Sequence, residues 1–243
     1  MSAGRTLLEI QNISKSFGGL IAVNGLSFNV KEQEVVGVIG PNGSGKTTVM
    51  NLISGVFPLT SGTIRLAGRE LSNRPAHKIA RAGVGRTFQL VRVLPRLSVI
   101  DNVIAGAVFG HRRRWGYDAE SMATHLLDRV GLADKQSQPV SALTYIDQKR
   151  VELARALAGE PQVLLLDEWL AGLNPSELQT GIELIESLSN EGRTIILVEH
   201  VMDAIRTLCD HCIVVNSGKL IAQGTPEQVL SDPTVISAYL GED

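Results

Sequence analysis

The segment at residues 40–47 constrains the fold of this chain more than any other. It reads Gly-Pro-Asn-Gly-Ser-Gly-Lys-Thr and follows the continuous apolar run at residues 35–39. A short β-branched run of this kind predicts a strand that is buried on both faces. Gly40 predicts a turn, and we expect a helix to begin near Gly45. The sequence therefore predicts a strand, a glycine-rich loop and a helix in direct succession.

The residue types of this loop suit a bound phosphate group. Glycine lets backbone amides turn toward phosphate oxygens without interference from a Cβ atom. The ammonium group of Lys46 has the reach to contact β and γ phosphates, the hydroxyl of Thr47 is a ligand for Mg²⁺, and the following helix directs its positive end at the anion. The alternative is a glycine turn of an unrelated α/β enzyme, but the position between strand and helix favours the phosphate loop. The predicted nucleotide-binding residues here are Gly40, Pro41, Asn42, Gly43, Ser44, Gly45, Lys46, Thr47 and Thr48.

Other segments indicate the rest of the architecture. Residues 7–30 alternate in the manner of antiparallel strands, whereas residues 163–166 and 194–198 are continuous apolar runs typical of buried strands in a parallel sheet. Residues 98–160 have helical spacing instead, interrupted at residues 110–116 by glycines and a run of charges. We expect that interruption to be an exposed loop. The sequence therefore predicts a parallel α/β protein with an antiparallel start and a helical subdomain.

Polar residues follow two of the predicted buried strands. Asp167 and Glu168 end the first of them, and Glu199 and His200 end the second. Because successive residues leaving a strand project in different directions, we assign Asp167 to Mg²⁺ and Glu168 to the polarisation of an attacking water molecule. The alternative for Glu168 is a cap on the next helix. His200 is predicted to contact the γ-phosphate, with a structural histidine as the alternative.

Composition excludes several classes of protein. The formal net charge of this 243-residue chain is -2, which argues against a protein that coats nucleic acid. Cys209 and Cys212 are its only cysteines, and they are predicted to be reduced core residues rather than zinc ligands. The sequence has neither a secretory signal nor a run of about eighteen uncharged apolar residues. We therefore expect a cytosolic protein that reaches a membrane only by docking on a partner.

Taken together, these motifs resemble the ATPase subunits of ABC transporters over nearly the whole chain. The order is that of the family: an aromatic residue, the phosphate loop, a glutamine loop, a signature segment, the acidic strand and a histidine loop. The resemblance implies that Phe17 stacks on adenine, that Gln89 contacts Mg²⁺ and faces the membrane subunit, and that His200 is the switch histidine. As a lone aromatic residue, Phe17 is equally compatible with a place in the core.

The resemblance also implies the fold class and the domain organisation. The expected fold is α/β: a P-loop NTPase core, made of a mostly parallel sheet with helices, that carries an antiparallel β subdomain and a helical subdomain. Residues 1–243 are expected to form a single ABC ATPase domain, with the helical subdomain inserted at about residues 90–160.

The signature segment, residues 143–147, departs from the Leu-Ser-Gly-Gly-Gln of the family and reads Leu-Thr-Tyr-Ile-Asp. In the family this segment completes the ATP site of the opposing subunit. Thr144 retains a hydroxyl for the γ-phosphate, but Ile146 replaces a glycine, and β-branching opposes a positive φ. Asp147 adds negative charge, which we expect Lys149 and Arg150 to offset in part. We therefore predict weakened cross-dimer contacts and a preference for pairing with a different ATPase subunit.

Three segments narrow the resemblance to the ATPases of branched-chain amino-acid importers. They are residues 18–23, 85–89 and 172–175, which read Gly-Gly-Leu-Ile-Ala-Val, Gly-Arg-Thr-Phe-Gln and Gly-Leu-Asn-Pro. The implied partners are the permease subunits, a second ATPase subunit and, indirectly, an extracytoplasmic substrate-binding protein, at the cytoplasmic face of the cell membrane. The alternatives are a transport ATPase for urea or amides, a soluble ABC ATPase without a permease, and a P-loop kinase outside the family.

Overall fold

The computed structural model describes residues 4–240, so the ends of the predicted domain, residues 1–3 and 241–243, lie outside it. The strands and helices follow one another as β1 (Thr6–Phe17), β2 (Leu20–Lys31), β3 (Val35–Ile39), α1 (Lys46–Ile53), β4 (Ser61–Leu66), β5 (Arg69–Glu70), α2 (Ala76–Ala82), β6 (Val84–Arg86), α3 (Val99–Phe109), α4 (Gly116–Arg129), α5 (Tyr145–Ala158), β7 (Val163–Asp167), α6 (Pro175–Asn190), β8 (Thr194–Val198), α7 (Met202–Leu208), β9 (His211–Asn216), β10 (Lys219–Gly224), α8 (Pro226–Leu230) and α9 (Pro233–Leu240). These elements form two compact units: the first comprises the residues up to Ala76 and from Leu170, and the second is His77–Trp169.

The first unit contains the predicted antiparallel start and the strand before the glycine-rich loop. Strands β2, β1, β4 and β5 form one antiparallel sheet, in which Ile10 pairs with Phe28 on one side and with Ile64 on the other. In a second sheet β3 lies between β8 and β9 and is parallel to both. Every residue of β3 and β8 is buried, as the continuous apolar runs predict.

The second unit contains the parallel strands β6 and β7 together with helices α3, α4 and α5. Val84 pairs with Val163, and Arg86 pairs with Leu165. The three helices lie within the region of residues 98–160 for which helical spacing is predicted. The loop that was predicted at residues 110–116 is one residue shorter, because Gly116 is already the first residue of α4.

The predicted fold class is confirmed, since helices, a largely parallel sheet and a separate antiparallel sheet are all present. Within residues 4–240, no helix combines the length and the apolar character needed to cross a membrane. Cys209 and Cys212 are free and buried, as predicted.

Candidate functional site

The glycine-rich loop of the first unit connects β3 to α1 through left-handed glycines. Gly45 precedes the helix with φ of 109°, and Gly43 has φ of 77°. A Cβ atom on Gly45 would lie 2.5 Å from the carbonyl oxygen of Ala22, so only glycine fits at this position. The chain therefore enters α1 with its backbone in a conformation that most residue types rarely adopt.

Lys46 and Ser44 show how the loop is prepared for an anion. Lys46 is buried, and its Nζ donates to the carbonyl oxygens of Gly40 at 2.7 Å and of Pro41 at 2.8 Å. These bonds hold a cation over the loop. The hydroxyl of Ser44 is buried and has no hydrogen-bond partner among the described residues. Because a buried polar atom is normally satisfied, this hydroxyl fits a contact with a phosphate oxygen.

Two hydrogen bonds to residues of the C-terminal part of the chain support the phosphate loop. Sequence patterns did not indicate them. The backbone N–H of Gly40 donates to the hydroxyl of Tyr239 on α9 at 2.8 Å, and Gly218 N–H donates to the carbonyl of Ser44 at 2.8 Å. Burial raises the pKa of Tyr239, although the hydrogen bond from Gly40 opposes this effect. The hydroxyl therefore stays protonated at neutral pH.

The remaining predicted residues of the first unit lie at accessible positions. The ring of Phe17 is 41 % exposed and packs edge to face against Phe57, with 5.1 Å between the centroids. Thr47 and Thr48 are half-buried in the first turn of α1. His200 is exposed just beyond β8.

Glu199, immediately before His200, has a structural contact that the sequence did not indicate. It is 1 % exposed, and its Oε1 accepts a hydrogen bond of 2.7 Å from the backbone N–H of Leu170. This carboxylate joins the segment that follows β8 to residue 170, which precedes α6. The hydrogen bond therefore fixes the backbone that directly precedes His200.

In the second unit, Asp167 ends β7 and forms a buried ion pair that the sequence did not predict. Its Oδ2 accepts a hydrogen bond from Nη2 of Arg86 at 2.7 Å, and the two side chains are 1 % and 5 % exposed. Burial lowers the pKa of Arg86, while the adjacent Asp167 raises it. The two residues lie close together because β6 and β7 are paired in parallel.

Glu168, which directly follows β7, has a different hydrogen-bond partner from Asp167. It is half-buried, has φ of 49°, and accepts a hydrogen bond of 2.6 Å at Oε2 from the side-chain amide of Gln89. The structure therefore brings two of the predicted residues together within the second unit. The cap alternative for Glu168 does not hold, since helix α6 is capped by Asn174 in a capping box with Glu177.

The signature segment differs from expectation at two positions. Ile146 lies in the first turn of α5 and is not among the residues with positive φ, so the predicted conflict with β-branching is wrong. Asp147 is buried and paired with Lys135 at 2.7 Å and Arg150 at 3.3 Å. The predicted contribution of Arg150 is therefore present, and Lys135 is a further cation that the sequence did not indicate. Thr144 caps α5 by accepting a hydrogen bond from Asp147 N–H.

Comparison with protein families gives two matches. Residues 23–171 match the ABC transporter family, and residues 219–243 match the branched-chain amino acid ATP-binding cassette transporter family.

Among curated proteins, the high-affinity branched-chain amino acid transport ATP-binding protein BraF of Pseudomonas aeruginosa is 42% identical over 255 residues, which covers 98% of this chain and 99% of BraF. LivG of Escherichia coli strain K12, which has the same description, is 42% identical over 250 residues and covers 97% of this chain and 98% of LivG.

Among solved structures, the ADP conformation of an ATP-binding cassette of an ABC transporter superimposes with a TM-score of 0.87 at 28% identity. The superposition covers 98% of this chain and 99% of that cassette. The fold, the phosphate loop and these similarities agree over almost the entire sequence. The chain therefore belongs to the ABC transporter family, among its ATP-binding proteins.

Proposed function

We propose that this chain is the ATP-hydrolysing, nucleotide-binding subunit of an ABC importer for branched-chain or related amino acids. The observation that carries the proposal is the phosphate loop. In it, a buried lysine and a buried hydroxyl that has no hydrogen-bond partner within residues 4–240 lie beside left-handed glycines. Residues 1–243 act as one ATPase domain.

Nucleotide binding is assigned to the loop, from Gly40 to Thr48, with Phe17 stacking on the base. The backbone amides and Lys46 neutralise the phosphates. Oxygen donors suited to Mg²⁺ are present in Thr47, Asp167 and the side-chain amide of Gln89, and hard oxygen ligands are those that this ion prefers. Bound Mg²⁺ supplies charge neutralisation at the transferred phosphoryl group.

Hydrolysis is assigned to Glu168 as the residue that orients and deprotonates the attacking water. Its carboxylate accepts a hydrogen bond from the side-chain amide of Gln89, which fixes the orientation of the group that acts on the water. His200 contacts the γ-phosphate and registers its loss. Lys46 stabilises the charge that develops on the leaving phosphate oxygens.

Coupling to transport follows from a dimer in which Thr144 of one subunit meets the nucleotide of the other. Contacts through ATP exist only in the closed dimer, so that ATP favours closure and hydrolysis favours opening. Because the signature segment lacks the glycines of the family, we favour pairing with a different ATPase subunit that supplies its own half-site. The permease, at the cytoplasmic face of the cell membrane, converts closure into movement, and an extracytoplasmic binding protein delivers the substrate to it.

Docking of the permease is assigned to an apolar groove of about 400 Å³ in the second unit. Leu94 and Phe109 line it together with Arg92, and 63 % of the Phe109 side chain is exposed. Because apolar residues and arginines line this groove, a short amphipathic helix with apolar and acidic side chains is the partner that suits its chemistry. Strand β6 also lines the groove, and Gln89 follows this strand. A partner that binds in the groove can therefore displace Gln89, whose side chain is hydrogen-bonded to Glu168.

The transported substrate is assigned from the relatives, whose descriptions name branched-chain amino acid transport. The test is to purify the full chain from its own cells under mild detergent and identify the membrane and binding proteins that accompany it. Hydrolysis is then measured for the chain alone and mixed with the second ATPase subunit. Recovery of an amino-acid permease and faster turnover in the mixture are expected.

Other outcomes would separate the alternatives. A permease and binding protein that take urea or amides would change the substrate assignment. Absence of membrane proteins would favour a soluble ABC ATPase. Full cooperative turnover by this chain alone would contradict the heterodimer.

A further inference from the structure

Lys149, on helix α5, contacts the carbonyl oxygens of the two consecutive peptide groups that follow Glu168. The residue is 2 % exposed, and its Nζ donates to the carbonyl oxygen of Trp169 at 3.0 Å and to that of Glu168 at 3.4 Å. The indole N–H of Trp169 donates in return to the carbonyl oxygen of Lys149 at 3.3 Å. Helix α5 and the segment after β7 are thus joined by reciprocal hydrogen bonds in a buried environment.

Tyr145 lies one helical turn before Lys149, and it contacts the backbone of Gln89 in the glutamine loop. Its hydroxyl donates to the carbonyl oxygen of Gln89 at 3.3 Å. The Nζ of Lys149 lies 5.4 Å from the centroid of the Tyr145 ring, as expected for neighbours four residues apart on a helix. Helix α5 therefore contacts both residues of the hydrogen bond between Gln89 and Glu168.

These contacts act on a backbone that needs external support. Glu168 is a non-glycine residue with φ of 49°, a conformation that persists only where surrounding structure holds it. The buried ammonium group of Lys149 binds the carbonyl oxygens of Glu168 and Trp169, and it thereby fixes the orientation of the two consecutive peptide groups 168–169 and 169–170. Because the direction of the Glu168 side chain depends on that backbone, the position of its carboxylate depends on Lys149.

We propose that Lys149 and Tyr145 are positioning residues for ATP hydrolysis. They hold Glu168 and Gln89 at a fixed position relative to helix α5, which Thr144 caps. This inference rests on the proposed function of Glu168. It gives a structural role to one departure of the signature segment, in which Tyr145 stands where the family has glycine. A movement of α5 is thereby transmitted to the hydrolytic carboxylate of the same subunit.

The first test replaces Lys149 by Met, which keeps the length of the side chain and removes its charge and its donors. Turnover of ATP should fall by about 10²-fold, because a displacement of about 1 Å costs that much, while KM changes by less than about 3-fold. The matched control is Arg114→Met, which also removes a cation of the second unit, here one that is paired with Glu160. We expect unchanged turnover in the control.

The second test repeats Lys149→Met in a Glu168→Gln background, with single-turnover hydrolysis as the readout. If Lys149 acts through Glu168, the second substitution adds less than about 3-fold to the loss, whereas independent effects multiply. An equal loss in both backgrounds, or unchanged turnover of Lys149→Met with a normal Glu168, would overturn the inference. A lack of hydrolysis by the unsubstituted chain, alone and with the second subunit, would instead overturn the proposed function.

A third measurement does not depend on hydrolysis. Trp115 and Trp169 are the only tryptophans, so in a Trp115→Phe background the fluorescence reports on Trp169 alone. Lys149→Met should shift that emission to longer wavelength, and Tyr145→Phe, which removes only the hydroxyl, should leave it in place while lowering turnover. Emission unaffected by Lys149→Met would contradict the contact on which the inference depends.

Discussion

The side-chain amide of Gln89 donates a hydrogen bond to the carboxylate of Glu168, with 2.6 Å between Nε2 and Oε2. The two residues are 79 positions apart in sequence. They meet because each follows one of two paired parallel strands, in which Arg86 lies opposite Leu165. Any displacement of the glutamine loop therefore changes the partner of the carboxylate that we assign to hydrolysis.

Replacement of Glu168 by Gln should leave nucleotide binding intact and slow hydrolysis strongly. The amide retains the size of the side chain but cannot accept a proton, and loss of a general base typically costs 10²–10⁴-fold, so a decrease in that range is expected. Turnover and the Kd for ATP are the quantities to measure. The control is Glu186→Gln on the exposed face of α6. Unchanged turnover of Glu168→Gln would remove this residue from the mechanism.

Replacement of Arg86 by Met should destabilise the protein. It leaves the buried carboxylate of Asp167 without the guanidinium that lies 2.7 Å away. Removal of one partner of a buried ion pair costs about 3–5 kcal/mol in the free energy of unfolding. Denaturant unfolding measures this loss, and Arg86→Met combined with Asp167→Asn should recover part of it. A decrease in the free energy of unfolding below about 1 kcal/mol would indicate that the ion pair of Arg86 and Asp167 contributes no more than a solvent-exposed pair.

Replacement of Gly45 by Ala should cost more stability than the same change at Gly131. Both glycines have positive φ, but a Cβ atom at Gly131 enters open space, whereas one at Gly45 lies 2.5 Å from the carbonyl oxygen of Ala22. Gly131→Ala should cost about 1–2 kcal/mol from backbone strain alone. Gly45→Ala should exceed that value and weaken ATP binding, as measured by unfolding and nucleotide titration. Equal costs would show that the loop rearranges freely.

Glu152 should give the stability of the protein a measurable pH dependence. Burial raises its pKa, although backbone N–H groups of Arg92 and Phe88 donate to it and the nearby arginines oppose the shift. The folded state therefore retains this proton to higher pH than the unfolded state. The contribution of Glu152 to stability is greatest at low pH and declines as the pH rises from the ordinary carboxyl range to the raised pKa.

The check on Glu152 is urea unfolding of the normal chain and of Glu152→Gln at several values between about pH 4 and pH 7. The substitution should make the free energy of unfolding decline less steeply with pH. Glu186→Gln, on an exposed carboxylate, should keep the slope of the unsubstituted chain. Identical slopes in all three proteins would contradict the raised pKa.

The sequence alone determined the phosphate loop, the buried strands around it and the residues that end those strands. Those features depend on local rules: β-branched runs pack on both faces, glycines allow positive φ, and neighbouring residues of a strand point in opposite directions. For the same reason the helix that begins after Gly45 was predictable.

Tertiary structure decided which distant side chains meet. Arg86 pairs with Asp167, Lys135 joins Arg150 in pairing with Asp147, and Lys149 contacts the segment after Glu168. These pairings depend on the register of β6 against β7 and on the face that α5 turns toward them. Register and rotation are fixed by packing of the whole core, which no local pattern of residues specifies.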